Sequence, residues 1–277
     1  MLHLLALVLG ALIGSFLNVV IARVPRGESI AWPGSKCPRC GAPIAWYDNI
    51  PIVSWLLLRA KCRKCAQPIS LRYPMVELLT AVIAAAVAHR FGPTAVALGT
   101  FVFCAALVAL AYIDMDTWLL PHQITWPLLA VGLGSPLWNR ELPWKSSLIG
   151  AGAGFGLFAA IALVGERVLK RETMGWGDVW LLAGIGAWLG WQQLLPVVML
   201  SALQGSIVGI ALILIGRDPS RAEAQPPPGA QASDDDWVPP KHAVPYGPFL
   251  ALAALEVVLL GPRLAAMWDG VMRRLWS

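Results

Sequence analysis

The amino-acid sequence predicts an all-α polytopic membrane protein with about eight transmembrane helices and one small cytoplasmic loop domain. Hydrophobic residues make up 57% of the 277 residues and charged residues only 13%, whereas soluble proteins average roughly 45–50% and about 25%. Apolar stretches recur along the chain, and basic residues collect in the loop after the first stretch. The formal charge of +5 therefore bears on orientation more than on an acidic partner, and we expect no nucleic-acid partner.

Each predicted transmembrane helix is an apolar segment, because a helix needs about 20 apolar residues to cross a bilayer. Residues 1–20 have neither a basic start nor a small-residue cleavage site. We therefore expect this segment to be retained as a span, not removed as a signal peptide. The eight segments are 2–20, 75–90, 95–113, 119–138, 147–165, 174–190, 194–215 and 246–261.

The loop at 21–74 sets the predicted orientation. It carries nine Lys and Arg against two acidic residues, and cytoplasmic loops are enriched in Lys and Arg. With eight spans alternating from there, most of the 21 Lys and Arg lie on the cytoplasmic side. We expect both termini to lie on the other side, and spans three and six to meet the cytoplasm at their ends nearest Asp114 and Asp178.

Residues 218–244 predict a flexible cytoplasmic linker, since their composition cannot bury a core. They include the runs Pro226–Pro228 and Asp234–Asp236. The acidic run is a solvated segment or a weak attractor of a basic peptide. The predicted domains are the first helix at 1–20, the loop domain at 21–74, and helices two to eight within 75–277, which contain the linker.

Two Cys-x-x-Cys pairs, Cys37/Cys40 and Cys62/Cys65, lie in the loop domain with 21 residues between them. Each pair can supply two thiolates from one turn, and two pairs complete a tetrahedral structural zinc site. Two disulfides are the alternative, but disulfides do not persist in a reducing cytoplasm. We therefore expect a closed zinc site that orders the loop. The fifth cysteine, Cys104, is expected to be a buried small hydrophobic residue.

Two acidic residues, Asp114 and Asp178, stand at ends of predicted spans that share one face. Asp178 lies between Gly175-Trp176-Gly177 and an apolar run, where charge is expensive; a carboxylate favoured by the helix dipole is the alternative. Two carboxyl groups at a poorly solvated site share a proton, so that one activates a water and the other polarises a carbonyl. The pair predicts aspartyl hydrolysis of a peptide bond. Gly175 and Gly177 either leave room for the substrate or ease helix packing.

Other polar residues compete for a role in the predicted site. Asp116 follows Asp114 by two residues, and the pattern does not choose firmly between them. Four more polar residues fall within predicted spans, namely Ser15, Asn18, Glu77 and Glu256. Interhelical hydrogen bonds are the simpler explanation for Ser15 and Asn18. A carboxylate in hydrocarbon costs more, so Glu77 and Glu256 are candidates for substrate or cofactor contacts.

Taken in order, the motifs of the chain resemble those of the type IV prepilin peptidases. These are membrane aspartyl proteases of the GxGD type that mature pilins and type II secretion pseudopilins. The resemblance covers nearly the whole chain. The matching motifs are Gly14–Val20, both Cys-x-x-Cys pairs, Trp46 with Asn49–Pro51, Arg72–Pro74 with Glu77, Ile113–Asp116, Leu119–Pro121, Met174–Asp178 and Tyr246–Phe249.

The resemblance implies that Asp114 and Asp178 are the catalytic pair. It implies that a short basic leader is cut after a glycine on the cytoplasmic side of the bacterial inner membrane. It also implies that the new N-terminal residue is methylated with S-adenosylmethionine, because relatives with the cysteine-bearing loop generally carry both activities. No glycine-rich nucleotide-binding motif of the soluble kind indicates where the methyl donor binds.

Three positions depart from the family pattern. His122 stands where relatives often have aspartate, Thr173 where they commonly have glycine, and Trp180 where they commonly have lysine. A cation near Asp178 would favour its ionised form. Its replacement by Trp180 is therefore expected to affect substrate docking or the protonation of Asp178.

Two other classes of function remain open from the residues alone. A non-catalytic membrane scaffold of a pilus or secretion assembly would use the zinc-ordered loop as a platform and would tolerate loss of either aspartate. A transporter would place protonatable Asp114, Glu77 and Glu256 along a path. Transporters of that kind often show internal symmetry, which we do not find in this sequence.

Overall fold

The computed structural model describes residues 1–170, 174–215 and 244–275, with the backbone alone for 169 and 262–275. Within these ranges the regular elements are helical, and the only β-type pairings are two isolated bridges. The predicted linker at 218–244, except for its last residue, lies outside the described residues, as does Thr173. The α-helices are α1 (Leu2–Arg23), α2 (Val53–Leu57), α3 (Arg72–Phe91), α4 (Ala95–Thr117), α5 (His122–Gly134), α6 (Trp144–Leu169), α7 (Trp176–Leu189), α8 (Leu194–Leu214) and α9 (Gly247–Leu275).

Each of the eight predicted segments falls on one of these helices. Five helices, α1, α3, α4, α6 and α8, are long and apolar enough to cross a membrane. Helices α5 and α7 have 13 and 14 residues, which at about 1.5 Å per residue span roughly 20 Å of a hydrocarbon core about 30 Å thick. The apolar part of α9, Gly247–Gly261, is also short. The all-α membrane fold is therefore confirmed, whereas the count of eight spans stays a prediction.

Helices α1 and α3 pack closely because α1 presents glycines to its partner. A Cβ atom added at Gly10 would lie 2.6 Å from Cβ of Ala84, and one added at Gly14 would lie 2.7 Å from Cα of Glu77. The two glycines are four positions apart, so they lie on one face of α1. Small residues at this spacing let two membrane helices approach until their backbones touch.

Helices α6 and α7 also pack closely because one of them presents glycines to the other. A Cβ atom added at Gly150 would overlap the carbonyl group of Gly186, and one added at Gly154 would lie 2.6 Å from the carbonyl oxygen of Leu182. In addition, the Ser147 hydroxyl donates a hydrogen bond to the carbonyl of Ala187 at 2.8 Å. This contact fixes the position of α7, whose first turn carries Asp178.

Replacement of Gly150 by valine should therefore separate α6 from α7. We expect the Gly150→Val variant to lose about 1–3 kcal/mol of stability, the usual range for an overpacked site. The measurement is thermal unfolding of the purified protein in detergent. Gly152→Val is the matched control, because the space beside Gly152 on the same helix is open. Equal unfolding temperatures for the two variants would contradict this packing account.

Helix α4 lies at the centre of the bundle. Its side chains Phe103, Leu107 and Leu110 are at most 1% exposed. Phe103 stacks on Trp188 of α7, with ring centroids 5.1 Å apart. Helix α9 packs against both α4 and α8. As a result, the end of α4, the start of α7 and the start of α9 meet at one end of the bundle.

Candidate active site

Asp114 lies in the last turn of α4 and is buried. The helix ends at Thr117, and Trp118, with a left-handed φ of 56°, donates its N–H to the carbonyl of Asp114. The Asp114 side chain is 6% exposed. Its Oδ2 atom accepts a hydrogen bond of 3.0 Å from the backbone N–H of Gly247, the first residue of α9. A helix N-terminus therefore holds this carboxyl group in place.

Gly247 permits this contact because it has no side chain. A Cβ atom at this position would lie 2.6 Å from Oδ2 and 3.1 Å from Cγ of Asp114. Any larger residue must displace either α9 or the carboxyl group. Gly247 belongs to the motif Tyr246–Phe249, but the sequence pattern alone assigns it no role. The available signal was the glycine followed by a proline at a helix start.

Asp178 lies in the first turn of α7, where it meets Asp114. The turn starts at Gly175, whose carbonyl accepts the N–H of Asp178 at 3.1 Å. The two carboxyl groups are close enough for their charges to interact. Oδ1 of Asp178 is buried and has no hydrogen-bond partner among the described residues. A buried acceptor without a donor is rare, and here it belongs to the carboxyl group whose charge interacts with that of Asp114.

The two glycines before Asp178 have different surroundings. A Cβ atom at Gly177 would lie 2.7 Å from Cβ of Leu120, so Gly177 is needed for packing. At Gly175 the nearest atoms to such a Cβ would be Oδ2 of Asp178 at 3.7 Å and the backbone nitrogen of Gly177 at 4.0 Å. Space therefore remains beside Asp178 at Gly175, where an extended backbone can approach.

Asp116 points away from this pair. Its carboxylate forms an ion pair with the Arg72 guanidinium at 2.6 Å, with side chains 39% and 31% exposed. Arg72 also stacks over the Tyr112 ring, at 4.9 Å from its centroid. Of the two acids that the sequence left in competition, Asp114 is therefore the one that lies beside Asp178.

Tyr246, which belongs to the motif Tyr246–Phe249 but had no role assigned from the sequence, is a further side chain near the pair. Its hydroxyl group lies 2.6 Å from Oγ of Ser201 on α8, and it is within electrostatic range of Asp178. Tyr246 directly precedes Gly247. The start of α9 thus brings a backbone donor to Asp114 and a phenol within electrostatic range of Asp178.

The departures His122 and Trp180 belong to one aromatic cluster beside the site. His122 stacks on Trp126, with centroids 5.2 Å apart. Trp126 meets Trp180 edge to face at 6.0 Å, and Trp180 contacts Phe155 at 5.0 Å. His122 and Trp180, which stand where relatives often have aspartate and lysine, are therefore part of the aromatic packing between α5, α6 and α7.

The other polar residues of the predicted spans are engaged in contacts within the protein. Glu77 accepts the backbone N–H of Ile52 at 2.7 Å and a hydrogen bond from Ser15. Asn18 donates to the carbonyl of Tyr73 at 3.1 Å. Glu256 accepts a hydrogen bond of 2.7 Å from Gln204. The partners of these four polar residues are therefore groups other than Asp114 and Asp178.

The four cysteines of the loop domain form one cluster. The sulfur atoms of Cys37, Cys40, Cys62 and Cys65 all lie within 4.8 Å of one another, and Cys37 is 3.9 Å from Cys65. A zinc ion bound to four sulfurs at about 2.3 Å would place them roughly 3.8 Å apart. All five cysteines are free thiols. The cluster therefore fits a metal ion better than two disulfides.

Each cysteine pair lies in a knuckle of the same shape. In the first, Cys37 donates its N–H to the carbonyl of Ala42, and Gly41 donates to Cys37, both at 2.9 Å. The second repeats this pattern from Lys61 to Pro68, the two residues joined by its isolated bridge. The spacing of the cysteines alone does not show that the backbone hydrogen bonds repeat in this way.

Hydrogen bonds from the backbone prepare Cys37 for a metal. N–H groups of Cys40 and Arg39 lower the pKa of the Cys37 thiol to about 6. For Cys65, the N–H of Gln67 lowers the pKa, but burial and the three other sulfurs outweigh it and raise the value to about 11. The Cys37 thiol thus loses its proton readily, whereas burial and the three neighbouring sulfur atoms oppose deprotonation of Cys65. A bound divalent cation would favour the deprotonated form of all four thiols.

Two family models match the chain. The bacterial peptidase A24 N-terminal domain matches residues 8–91, and the type IV leader peptidase family matches residues 101–210. The first range contains the cysteine cluster. The second contains both Asp114 and Asp178.

Curated relatives align along nearly the whole chain. A protein of Myxococcus xanthus (strain DK1622) named prepilin leader peptidase/N-methyltransferase is 42% identical over 303 residues, which cover 93% of this chain and 90% of the relative. Proteins of the same name from Aeromonas hydrophila and Burkholderia pseudomallei (strain 1026b) are 39% and 36% identical. They align with 90% and 92% of this chain and with 88% and 84% of their own lengths. No solved structure matches the chain.

Proposed function

The chain belongs to the type IV leader peptidase family, and we propose that it matures prepilins or type II secretion pseudoprepilins. As a multi-pass inner-membrane endopeptidase it removes a basic leader after a glycine, and as a methyltransferase it N-methylates the residue thereby exposed. The names of the relatives support both activities. The observation that carries the peptidase is the proximity of the Asp114 and Asp178 carboxyl groups, at the end of α4 and the start of α7, where their charges interact.

We propose that Asp114 and Asp178 are the catalytic pair, with Asp114 as the base and Asp178 as the acid. The N–H of Gly247 donates to Asp114, and a hydrogen bond to a carboxylate favours its ionised form. Oδ1 of Asp178 has no such donor among the described residues. The single proton that two adjacent carboxyl groups share therefore resides on Asp178.

In this scheme Asp114 takes a proton from a water molecule as the water oxygen bonds to the scissile carbonyl carbon. Asp178 gives its proton to the carbonyl oxygen. The tetrahedral intermediate then collapses. Its bond to nitrogen breaks, the amine leaves with the proton held by Asp114, and one hydroxyl proton returns to Asp178. Both carboxyl groups end in their starting states.

We propose that the site and the loop domain face the cytoplasm. The loop at 21–74 has nine basic and two acidic residues, and such loops stay on the cytoplasmic side. The basic leader of a substrate would be found on the same side. The exposed ion pair of Arg72 and Asp116 lies at the end of α4, as expected where a span meets water.

We propose that the metal of the cysteine cluster is zinc. Four thiolates in two knuckles form a donor set that suits zinc. The four cysteines fill the coordination sphere, so the ion serves structure and binds no water for catalysis. It would hold Cys37 and Cys40 of one knuckle against Cys62 and Cys65 of the other.

The methyl donor, S-adenosylmethionine, would supply an electrophilic methyl group to the new amine. One cavity of about 310 Å³ lies between α1 and the loop at 30–35. Its lining includes Arg23 but no carboxylate that would pair with the donor's sulfonium cation. The cavity therefore does not match the donor, and we assign it no step.

The test is intact-mass spectrometry of a model substrate with a basic leader, Gly-Phe and an apolar helix. Purified protein in lipid is incubated with this substrate, with and without S-adenosylmethionine. We expect loss of the leader in both reactions and one added methyl group only with the donor. A substrate that stays full length would contradict the peptidase and favour a scaffold. Cleavage without methylation would contradict the second activity alone.

The Gly247→Ala variant tests whether Gly247 positions the carboxyl group of Asp114. The new Cβ would displace the carboxyl group, and a displacement of about 1 Å at a catalytic group can cost about 10²-fold in rate. We expect a loss of that order in leader cleavage. The matched control is Gly209→Ala in α8, where the added Cβ meets open space. Cleavage by Gly247→Ala at the control rate would rule out this positioning role.

A further inference from the structure

The short helix α2 of the loop domain has its polar and apolar sides reversed relative to a helix on a protein core. Val53, Leu56 and Leu57 are 47%, 61% and 78% exposed. Their spacing of three and four residues puts them on one face. The polar Ser54 is instead buried at 6%, and its hydroxyl donates to the carbonyl of Tyr47 at 2.9 Å. We call the three exposed side chains the α2 ridge.

A hydrogen bond to a membrane helix fixes the depth of the α2 ridge. Ile52, the residue before α2, donates its N–H to Glu77 of α3 at 2.7 Å. Glu77 is five residues after the start of α3, about 8 Å along the helix axis. Helix α2 therefore lies at the level of the first turns of a membrane span, which is the level of the lipid headgroups.

In the same turns, α3 has an open apolar face on a different side from Glu77. Met75 and Leu78, which flank Glu77 in sequence, are 52% and 54% exposed. In a helix long and apolar enough to cross a membrane, such side chains face lipid. Both ends of the loop domain also connect directly to spans, at the end of α1 and the start of α3. Exposed apolar side chains thus occur both on the first turns of this span and on the α2 ridge that is tied to the same turns.

Basic residues follow the ridge closely in the chain. They are Arg59, Lys61, Arg63 and Lys64, and all four are exposed. Of the two acidic residues in the loop, Asp48 is paired with Arg63 at 2.6 Å, which lowers the pKa of Asp48. Apolar side chains flanked by Lys and Arg are typical of segments that lie in the surface of an anionic bilayer.

We propose that the α2 ridge is an interfacial anchor: Val53, Leu56 and Leu57 insert between the lipid headgroups and hold the loop domain flat on an anionic bilayer. Exposure of these three apolar side chains to water is unfavourable, and their insertion into the bilayer removes them from water. Glu77 sets the depth by its bond to Ile52. The cysteine knuckles then act as a rigid frame that joins this anchor to α1 and α3.

The test places a photo-crosslinking amino acid at Leu57 of the full-length protein in nanodiscs of phosphatidylethanolamine and phosphatidylglycerol. Leu78 on the lipid-facing side of α3 is the positive control, and the exposed Gln67 of the second knuckle is the negative control. Lipid adducts are counted by mass spectrometry. We expect Leu57 to yield adducts at a level near that of Leu78 and several-fold above Gln67.

Adducts at Leu57 no more frequent than at Gln67 would overturn the proposal. So would adducts to a model substrate in place of lipid when both are present, since the ridge would then be a docking site for the substrate. A second variant, Leu57→Asp, guards against a general folding defect. It should speed proteolysis of the loop in nanodiscs but not in detergent, with its metal content unchanged. Equal proteolysis in nanodiscs for this variant and wild type would also contradict the anchor.

Discussion

Conversion of either Asp114 or Asp178 to asparagine is expected to lower the rate of leader cleavage by about 10³- to 10⁴-fold. Asparagine keeps the size of the side chain but can neither take a proton from water nor give one to the carbonyl oxygen. In the Asp114→Asn variant the side-chain amide oxygen can still accept the hydrogen bond from the N–H of Gly247, so the fold should be preserved. The measurement is the cleavage rate of a model prepilin by protein reconstituted in lipid, with thermal unfolding as the check on folding.

Asp116→Asn is the matched control for this experiment. Asp116 lies two residues from Asp114 but is exposed and paired with Arg72 at 2.6 Å. Exposed ion pairs contribute at most about 1 kcal/mol, so we expect a near wild-type rate. If Asp116→Asn lost activity as severely as Asp114→Asn, the assignment of Asp114 would be wrong.

Loss of the metal should have the second largest effect. Structural zinc sites contribute about 10–16 kcal/mol of apparent binding free energy, more than a small loop domain can replace with its own core. We expect wild type to hold one zinc ion per chain, and Cys62→Ser or a strong chelator to remove it. The loop between α1 and α3 should then be digested rapidly by protease. The measurements are metal analysis and limited proteolysis of the purified protein.

The fifth cysteine provides the control. Cys104 is completely buried in α4, away from the cluster, so Cys104→Ala should keep its metal and a protease-resistant loop. A wild-type protein without zinc, or a loop that resists protease equally after Cys62→Ser, would contradict the structural role of the metal.

Features that depend on local composition could be predicted from the sequence. Apolar segments gave the positions of the long helices, because burial in lipid dictates their length and polarity. The spacing within the two cysteine pairs predicted a cluster, because each pair needs only one turn to present two sulfurs. Asp178 was a candidate because a carboxylate beside an apolar run is rare without a purpose.

Features that depend on contacts between distant residues could not be predicted. The sequence left Asp114 and Asp116 in competition, and the choice between them depends on Gly247, more than 130 residues away in the chain, and on Arg72. Gly247 itself has a role only because the start of α9 touches the end of α4. The role of Glu77 likewise rests on its hydrogen bond to Ile52 in the loop domain.

The departures at His122 and Trp180 show why single positions are poor guides. Each reads in isolation as the loss of a charge. In the structure both belong to one aromatic cluster through Trp126. The sequence alone does not show that these two positions, 58 apart in the chain, contact the same Trp126 ring.

The central claim is that Asp114 and Asp178 act as one unit on a single peptide bond. Its most direct test is the single-turnover cleavage rate of Asp114→Asn, Asp178→Asn and the variant that carries both changes. Groups that act as a unit are strongly non-additive, so we predict that the double variant cleaves at nearly the rate of the slower single variant. A loss equal to the product of the two single losses would contradict the claim, because the carboxyl groups would then contribute independently.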